Sequence, residues 1–154
     1  MRSYRYVICK EHDGMRVQDY LKQVHGYSRR NIIKLKQLPT GLVLNGSRIR
    51  TVDLLHLGDV LETSFPDDKR TPTAVEADPG ILVYEDDDVM VLDKPPFMPV
   101  HESKRHQEDT LANLFAGICA QRRQSLSFRP INRLDRDTSG LVVAAKNSHY
   151  ASIL

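Results

Sequence analysis

The sequence predicts an α+β protein: a small αα-β module followed by the N-terminal part of a mixed, mainly antiparallel sheet domain. Two stretches with helical apolar spacing precede an Asn-Gly turn signal in residues 1–65. A polar, proline-bearing segment without periodicity covers residues 66–80, and short strand-like runs around one helix fill residues 81–154. We therefore predict two domains joined by an extended linker over residues 66–80.

Composition limits the class of protein. The chain has 154 residues, of which 40% are hydrophobic and 27% charged, as in soluble globular proteins. It has neither an apolar run of membrane-spanning length nor a secretory leader, and its two cysteines lack metal-ligand spacing. We therefore expect a cytoplasmic protein that has both cysteines in its core and no structural zinc.

Charge is divided unequally along the chain. Residues 1–65 carry 11 lysines and arginines against 6 acidic residues, whereas residues 66–154 carry 11 against 14. A basic N-terminal module suggests that this part binds a polyanion. Because the excess is modest, ordinary surface charge is the alternative.

The first module reads as a strand, two helices and a hairpin. Residues 4–10 have strand composition, and residues 16–24 place their apolar side chains on one helical face. Ser28 is a suitable N-cap for a second helix that ends before Pro39. Asn45-Gly46 then predicts a hairpin with a type I′ turn.

The second helix begins with unusual charges. Arg29 and Arg30 in its first turn oppose the helix macrodipole, and Lys34 follows one turn later. Free backbone N–H groups beside such cations suit a phosphate-binding site. A solvated cationic face is an equally good interpretation.

The second half predicts a hairpin, a helix and a buried strand. Residues 81–85 and 89–93 form the hairpin, and Asp86-Asp87-Asp88 make an acidic turn that is more typical of solvated carboxylates than of a metal site. A helix capped by Asp109 or Thr110 follows. Asn147 is suited to cap a last helix.

A charged stretch directly before the buried strand is the strongest candidate for a functional site. Arg133 and Asp135 flank Leu134, so in an extended segment both point to one face and Leu134 to the other. A carboxylate between Arg133 and Arg136 stays ionised, and Thr138-Ser139-Gly140 predicts a turn. From the residues alone, a salt-bridged turn before a core strand is the alternative.

The run RLDRDTSGLVVAAK, which begins at Arg133, closely resembles the signature of the RluA-like pseudouridine synthases. These enzymes isomerise chosen uridines in ribosomal or transfer RNA. The resemblance implies a pseudouridine synthase sheet domain with Asp135 as the catalytic carboxylate. It also implies that Arg133 pairs with Asp135 and helps to displace the target base. The family usually has histidine before this arginine, where this chain has Asn132.

The same resemblance carries further expectations for the site. Arg136, Thr138 and Ser139 are expected to contact substrate RNA, and no metal, nucleotide or redox cofactor is required. Residues 94–101 resemble a second family element, Lys-Pro-x-Gly-(Met/Leu)-x-x-His, with Phe97 in place of the glycine. Here Lys94 is expected to meet RNA phosphate and support the catalytic strand, and the alternative is a snorkelling surface lysine.

The resemblance also implies an RNA partner and an incomplete catalytic domain. Residues 1–65 resemble the small RNA-binding module named after ribosomal protein S-four, so structured RNA is the expected partner, with no DNA or membrane. The family's catalytic domain runs well past this motif, so we expect a chain truncated within that domain, with self-association through an incomplete sheet. The predicted function is an RNA pseudouridine synthase; the alternative is a non-catalytic RNA-binding remnant.

Overall fold

The computed structural model describes residues 1–66 and 71–154. It divides into two compact units, an N-terminal unit through residue 66 and a C-terminal unit from residue 71 to Ser152. Each unit has one four-stranded antiparallel sheet and an apolar core of its own, which confirms the α+β class. None of the helices in these two described stretches combines the length and apolar character that crossing a membrane requires.

The N-terminal unit contains four strands and two helices. Its sheet has the order β1-β4-β2-β3, and β1 pairs with β4 from Arg2↔Phe65 to Val7↔Val60. The buried side chains of Leu21 and Leu35 join the helices to this sheet. The elements are β1 (Arg2–Val7), α1 (Val17–Asp19), which continues as a π-helical stretch (Tyr20–Val24), α2 (Arg29–Gln37), β2 (Leu42–Leu44), β3 (Ser47–Arg48) and β4 (Val60–Phe65).

The helix cap and the hairpin turn that were predicted in this unit are both present. The Ser28 side chain accepts a hydrogen bond from the Asn31 backbone N–H at 3.1 Å, which caps α2 as predicted. Asn45 and Gly46 have φ values of 50° and 84°, the positive pair that a type I′ turn requires. The hairpin of β2 and β3 is therefore confirmed.

The C-terminal unit places one helix against a second sheet. The strand order is β5-β6-β8-β7, and the core joins Leu111 and Phe115 of the helix to Met90 and Val142 of the sheet. The elements are β5 (Leu82–Glu85), β6 (Val89–Lys94), α3 (Leu111–Gln121), β7 (Arg129–Pro130), β8 (Gly140–Ala145) and α4 (Tyr150–Ile153).

The predicted linker is partly built into the C-terminal unit. Residues 67–70 lie outside the described residues, but residues 73–77 pack against α3. The Asn113 amide donates to the Thr73 carbonyl at 2.9 Å, and the Val75 N–H donates to the Asn113 carbonyl at 3.3 Å. Gly117 permits this approach, because a Cβ there would collide with the Val75 carbonyl. Residues 73–77 thus contact the C-terminal unit through their backbone groups, and the bounds of the linker stay a prediction.

The two cysteines lie in different environments. Cys119 is buried in α3, and burial raises the pKa of its thiol to about 11. Cys9 is exposed, with its Sγ 3.0 Å from Nδ1 of His12. The prediction that both are core residues is wrong for Cys9, because the chain leaves the sheet there and enters a 3-10 turn.

Candidate active site

The loop between β7 and β8 carries the charged stretch singled out in the sequence. The Thr138 N–H donates to the Asp135 carbonyl at 3.1 Å, which closes a turn over residues 135–138. Leu134 is half-buried against the core, whereas Arg133 and Asp135 are exposed. The predicted alternation of one apolar and two charged side chains is confirmed. The side chains of Arg136, Thr138 and Ser139 are exposed as well.

Arg133 and Asp135 do not form the ion pair that the resemblance implied. Within the described ranges, this loop contributes one ion pair, between Arg136 and Asp137 at 3.9 Å, and none joins Arg133 to Asp135. An ion pair between exposed side chains contributes at most about 1 kcal/mol, so solvation competes well with it. The pairing of Arg133 with Asp135 that the resemblance implied is therefore not observed in this structure.

Asn132 fixes the start of this loop to β8. Its Nδ2 donates to the Leu141 carbonyl at 2.9 Å, and its Oδ1 accepts the Val143 N–H at 2.8 Å. The Ile131 N–H donates to the Val143 carbonyl at 2.7 Å just before it. The side-chain amide therefore continues the strand pairing where the backbone turns away. Sequence reasoning identified Asn132 only as a departure from a family pattern and missed this role.

Lys94 fixes the other side of the loop. Its side chain is fully buried, and its ammonium donates to three carbonyls, of Pro95 at 3.0 Å, Met98 at 2.8 Å and Arg136 at 3.0 Å. These bonds use all three donors of a lysine ammonium. The geometry contradicts the prediction that Lys94 contacts RNA phosphate, and equally the snorkelling alternative. Lys94 instead ties the loop after β6 to the turn after Asp135.

Burial and neighbouring charges shift the pKa values of Lys94 and His101 near this turn. Burial lowers the pKa of Lys94, and the nearby charges of Asp137 and Asp135 oppose that shift. Partial burial lowers the pKa of His101, and the positive charge of Arg133 lowers it further. His101 also meets the Phe128 ring edge-on, with centroids 5.6 Å apart.

Comparison with known proteins matches this part of the chain to a family. Residues 88–154, which contain β6, α3, the charged loop and β8, match the model described as RNA pseudouridylate synthase.

Residues 88–154 belong to the RNA pseudouridylate synthase family.

Similarity to relatives extends over more of the chain. An uncharacterized RNA pseudouridine synthase of Bacillus subtilis, YjbO, is 30% identical over 141 residues, 91% of this chain and 50% of the relative. Ribosomal large subunit pseudouridine synthase D of Buchnera aphidicola is 28% identical over 138 residues, 86% of this chain and 42% of the relative. The mitochondrial tRNA pseudouridine(32) synthase of Saccharomyces cerevisiae is 39% identical over 72 residues, 47% of this chain and 14% of the relative. The chain thus spans about half, or less, of the length of these relatives.

Outside the family match, two concavities with cationic rims lie in the N-terminal unit. One of about 490 Å³ is lined by Lys22, Arg29 and Lys36 and by one acidic residue, Asp19, among others, and one of about 380 Å³ by Lys36, Arg48 and Arg50. Lys36 and Thr51 line both, so the two adjoin. Of the three cations that the sequence singled out on α2, Arg29 lines a concavity, whereas Arg30 and Lys34 line neither.

Sequence reasoning did not single out Lys22 or Lys36, although the helical period could have found Lys36. Lys36 lies seven residues after Arg29, which puts the two on the same helical face.

The acidic turn between β5 and β6 has a structural explanation. Oδ1 of Asp86 accepts the N–H groups of Asp88 at 2.8 Å and Val89 at 2.7 Å, which closes the hairpin. These bonds lower the pKa of Asp86. Among the described residues, three potential metal ligands lie close together elsewhere, Cys9, Glu11 and His12. Cys9 and His12 already hydrogen-bond to each other.

Proposed function

We propose that this protein is an RNA pseudouridine synthase that isomerises specific uridines of ribosomal or transfer RNA, with Asp135 as its reacting carboxylate. Two relatives are named for ribosomal large subunit RNA and for tRNA, which supports this substrate class. One observation carries most weight: Asp135 is exposed on a loop held from both sides, by Asn132 and by Lys94. A fixed carboxylate open to a macromolecular substrate is what the reaction needs.

The proposed reaction is an isomerisation within one nucleotide. The N1–C1′ bond of uridine breaks, the uracil turns over, and a C5–C1′ bond forms. The C5 proton leaves to solvent and N1 takes up a proton, so the composition is unchanged. Asp135 acts as the ionised group that adds to the base or sugar or removes a proton.

The target uridine must leave its stack before Asp135 can reach it. Unstacking costs a few kcal/mol in a folded RNA. We propose that Arg133 fills the space left by the base and orients Asp135, since a guanidinium can form two parallel hydrogen bonds to a carboxylate. Arg136, Thr138 and Ser139 are proposed to contact the substrate RNA, because their side chains are exposed on the same loop.

The N-terminal unit is proposed to bind structured RNA in the manner of the S-four-like module. Support comes from the cations that rim its two adjoining concavities, Lys22, Arg29 and Lys36 foremost. This unit has a hydrophobic core of its own, so its RNA-binding surface does not depend on the catalytic unit. That observation favours a second candidate function, an RNA-binding protein without catalytic activity.

Tritium release from RNA labelled at C5 of uridine separates the two functions. The wild-type chain is expected to release tritium, and Asp135→Ala and Asp135→Asn are expected to reduce release at least a thousandfold, to background. Glu108→Gln, which neutralises an exposed carboxylate of the same unit, serves as the matched control and is expected to retain wild-type release. Equal background release from all four proteins, with RNA binding intact, would instead support the non-catalytic function.

A further inference from the structure

Phe97 combines a costly backbone conformation with an exposed aromatic side chain. It lies in the turn that follows β6, with a φ of 63°, and its side chain is 70% exposed. The left-handed region is costly for a residue with a Cβ, and this position of such a turn normally takes glycine. An exposed aromatic ring also forgoes burial. Neither property stabilises the fold, so they call for a functional explanation.

The turn that carries Phe97 is rigidly held. The Lys94 ammonium binds the Pro95 and Met98 carbonyls, which lie on either side of Phe97 in the chain. The Met98 side chain packs against the core of the unit. Phe97 is therefore presented by a fixed loop, and its ring needs little further ordering to bind a partner.

The same ammonium links this turn to the proposed reaction site. Its third hydrogen bond goes to the Arg136 carbonyl at 3.0 Å, next to Asp135 in the sequence. The loop that contains Arg136 carries three exposed charged side chains, Arg133, Asp135 and Arg136. An exposed aromatic ring on a turn hydrogen-bonded to a charged loop fits RNA, whose bases stack on aromatic rings while cations meet the phosphates.

We propose that Phe97 stacks on an unpaired nucleobase of the substrate RNA, beside the uridine that reacts at Asp135. This inference rests on the proposed function, since it assumes an RNA whose bases are unstacked at this loop. It assigns Phe97 to substrate binding and gives this chain a stacking group where a glycine could offer none.

Replacement by glycine tests the proposal through two readouts of opposite sign. Phe97→Gly removes both the ring and the unfavourable backbone conformation, so the melting temperature is expected to stay equal or rise. Affinity for a single-stranded RNA of mixed sequence is expected to fall about tenfold, equivalent to about 1.4 kcal/mol. Phe97→Tyr is expected to restore affinity. Unchanged affinity in Phe97→Gly would overturn the proposal.

A fluorescent variant tests for the stack directly. The chain contains no tryptophan, so Phe97→Trp introduces a single indole. RNA of mixed sequence is expected to quench its fluorescence, whereas an abasic ribose-phosphate chain of the same length is not. Tyr84→Trp, on β5 at a side chain 53% exposed, is the control and is expected to show no quenching. Equal quenching by the abasic chain, or at both positions, would refute stacking at Phe97.

The outcome is separable from that of the proposed function. Tritium release by the wild-type chain without quenching in Phe97→Trp would remove the stacking role alone. Quenching without release would support stacking and count against isomerase activity.

Discussion

At the scale of a single residue, Asn132 decides where the loop of Asp135 begins. β7 pairs with β8 at Arg129 and Pro130, and the Ile131 N–H adds one more hydrogen bond before the backbone turns away. The amide of Asn132 then supplies one acceptor and one donor, which match the Val143 N–H and the Leu141 carbonyl. A side chain at this position with only a donor or only an acceptor would satisfy half of the strand edge.

Asn132→Ala is expected to impair turnover more than stability. Two exposed hydrogen bonds contribute about 1–2 kcal/mol together, because water replaces them in part. The rate of tritium release is expected to fall about 10- to 100-fold, since a small displacement of a reacting group has a large effect on rate. Urea unfolding followed by circular dichroism and release under single-turnover conditions measure the two quantities.

Asn147→Ala provides a matched control for that experiment. The Asn147 amide also makes two hydrogen bonds, to Asp88 Oδ1 and from the Tyr150 N–H, both at 2.9 Å. A loss of stability at least as large, with an unchanged rate, is expected, because Asn147 is buried and Asn132 is exposed. If both variants showed the same fractional decrease in rate, Asn132 would have no special part in positioning Asp135.

At the scale of the element, the hairpin of β5 and β6 depends on an ionised turn residue. The N–H groups of Asp88 and Val89, and secondly the Tyr84 hydroxyl, hold the pKa of Asp86 below its ordinary value. The folded-state pKa is therefore lower than the unfolded one. Asp86 stabilises the fold fully above the unfolded pKa of about 3.9, and this contribution disappears as the pH falls through the lower folded value.

Asp86→Asn is expected to remove this pH dependence, because a neutral amide oxygen accepts the same N–H groups without titrating. The wild type is expected to be more stable than the variant at pH 7, and the difference is expected to shrink below about pH 4. Urea unfolding of both proteins at pH 7, 5, 4 and 3 measures it. The other carboxylates contribute equally to the pH dependence of stability in both proteins, so their contributions cancel in the difference. A difference that stays constant down to pH 3 would show that Asp86 does not carry this linkage.

Elements that local signals specify could be predicted from the sequence, and those that distant partners specify could not. Ser28 and the Asn45-Gly46 pair act within a few residues, so the α2 cap and the β2–β3 hairpin were predictable. The burial of Lys94 depends on the Arg136 carbonyl, 42 residues away in the sequence. Such a partner leaves no pattern around the lysine itself, which is why contact with RNA phosphate was predicted for Lys94.

The loop of Asp135 shows the same division within one site. The inward side chain of Leu134 followed from spacing, whereas the turn predicted at Thr138-Ser139-Gly140 was misplaced, because the chain turns over residues 135–138 and Gly140 already begins β8. The two anchors of this loop, Asn132 and Lys94, did not, since both bind backbone groups, which occur at every residue and leave no pattern in the sequence.

At the scale of the whole molecule, the basic charge is concentrated in the N-terminal unit, where α2 offers two differently placed cationic sets. Arg29 and Lys36 rim the concavities, whereas Arg30 and Lys34 do not. Matched double variants of equal charge change can therefore distinguish a specific phosphate-binding surface from a general effect of net charge.

Arg29→Gln with Lys36→Gln is expected to weaken RNA binding about tenfold or more and to flatten its salt dependence. The slope of log affinity against log salt is expected to fall by about 0.7 to 0.9 for each RNA phosphate that the protein no longer neutralises. Arg30→Gln with Lys34→Gln is expected to change both quantities little. Filter binding to structured RNA from 50 to 300 mM salt measures them. Equal weakening by the two pairs would point to net charge alone.

The contrast between the two cysteines has a practical consequence for the study of this protein. Thiol-directed reagents react with accessible thiolates, and Cys119 combines burial with a pKa of about 11. Cys9 is exposed. The natural sequence thus offers one chemically addressable thiol, so that a maleimide dye can mark the N-terminal unit of the folded protein without any engineered substitution.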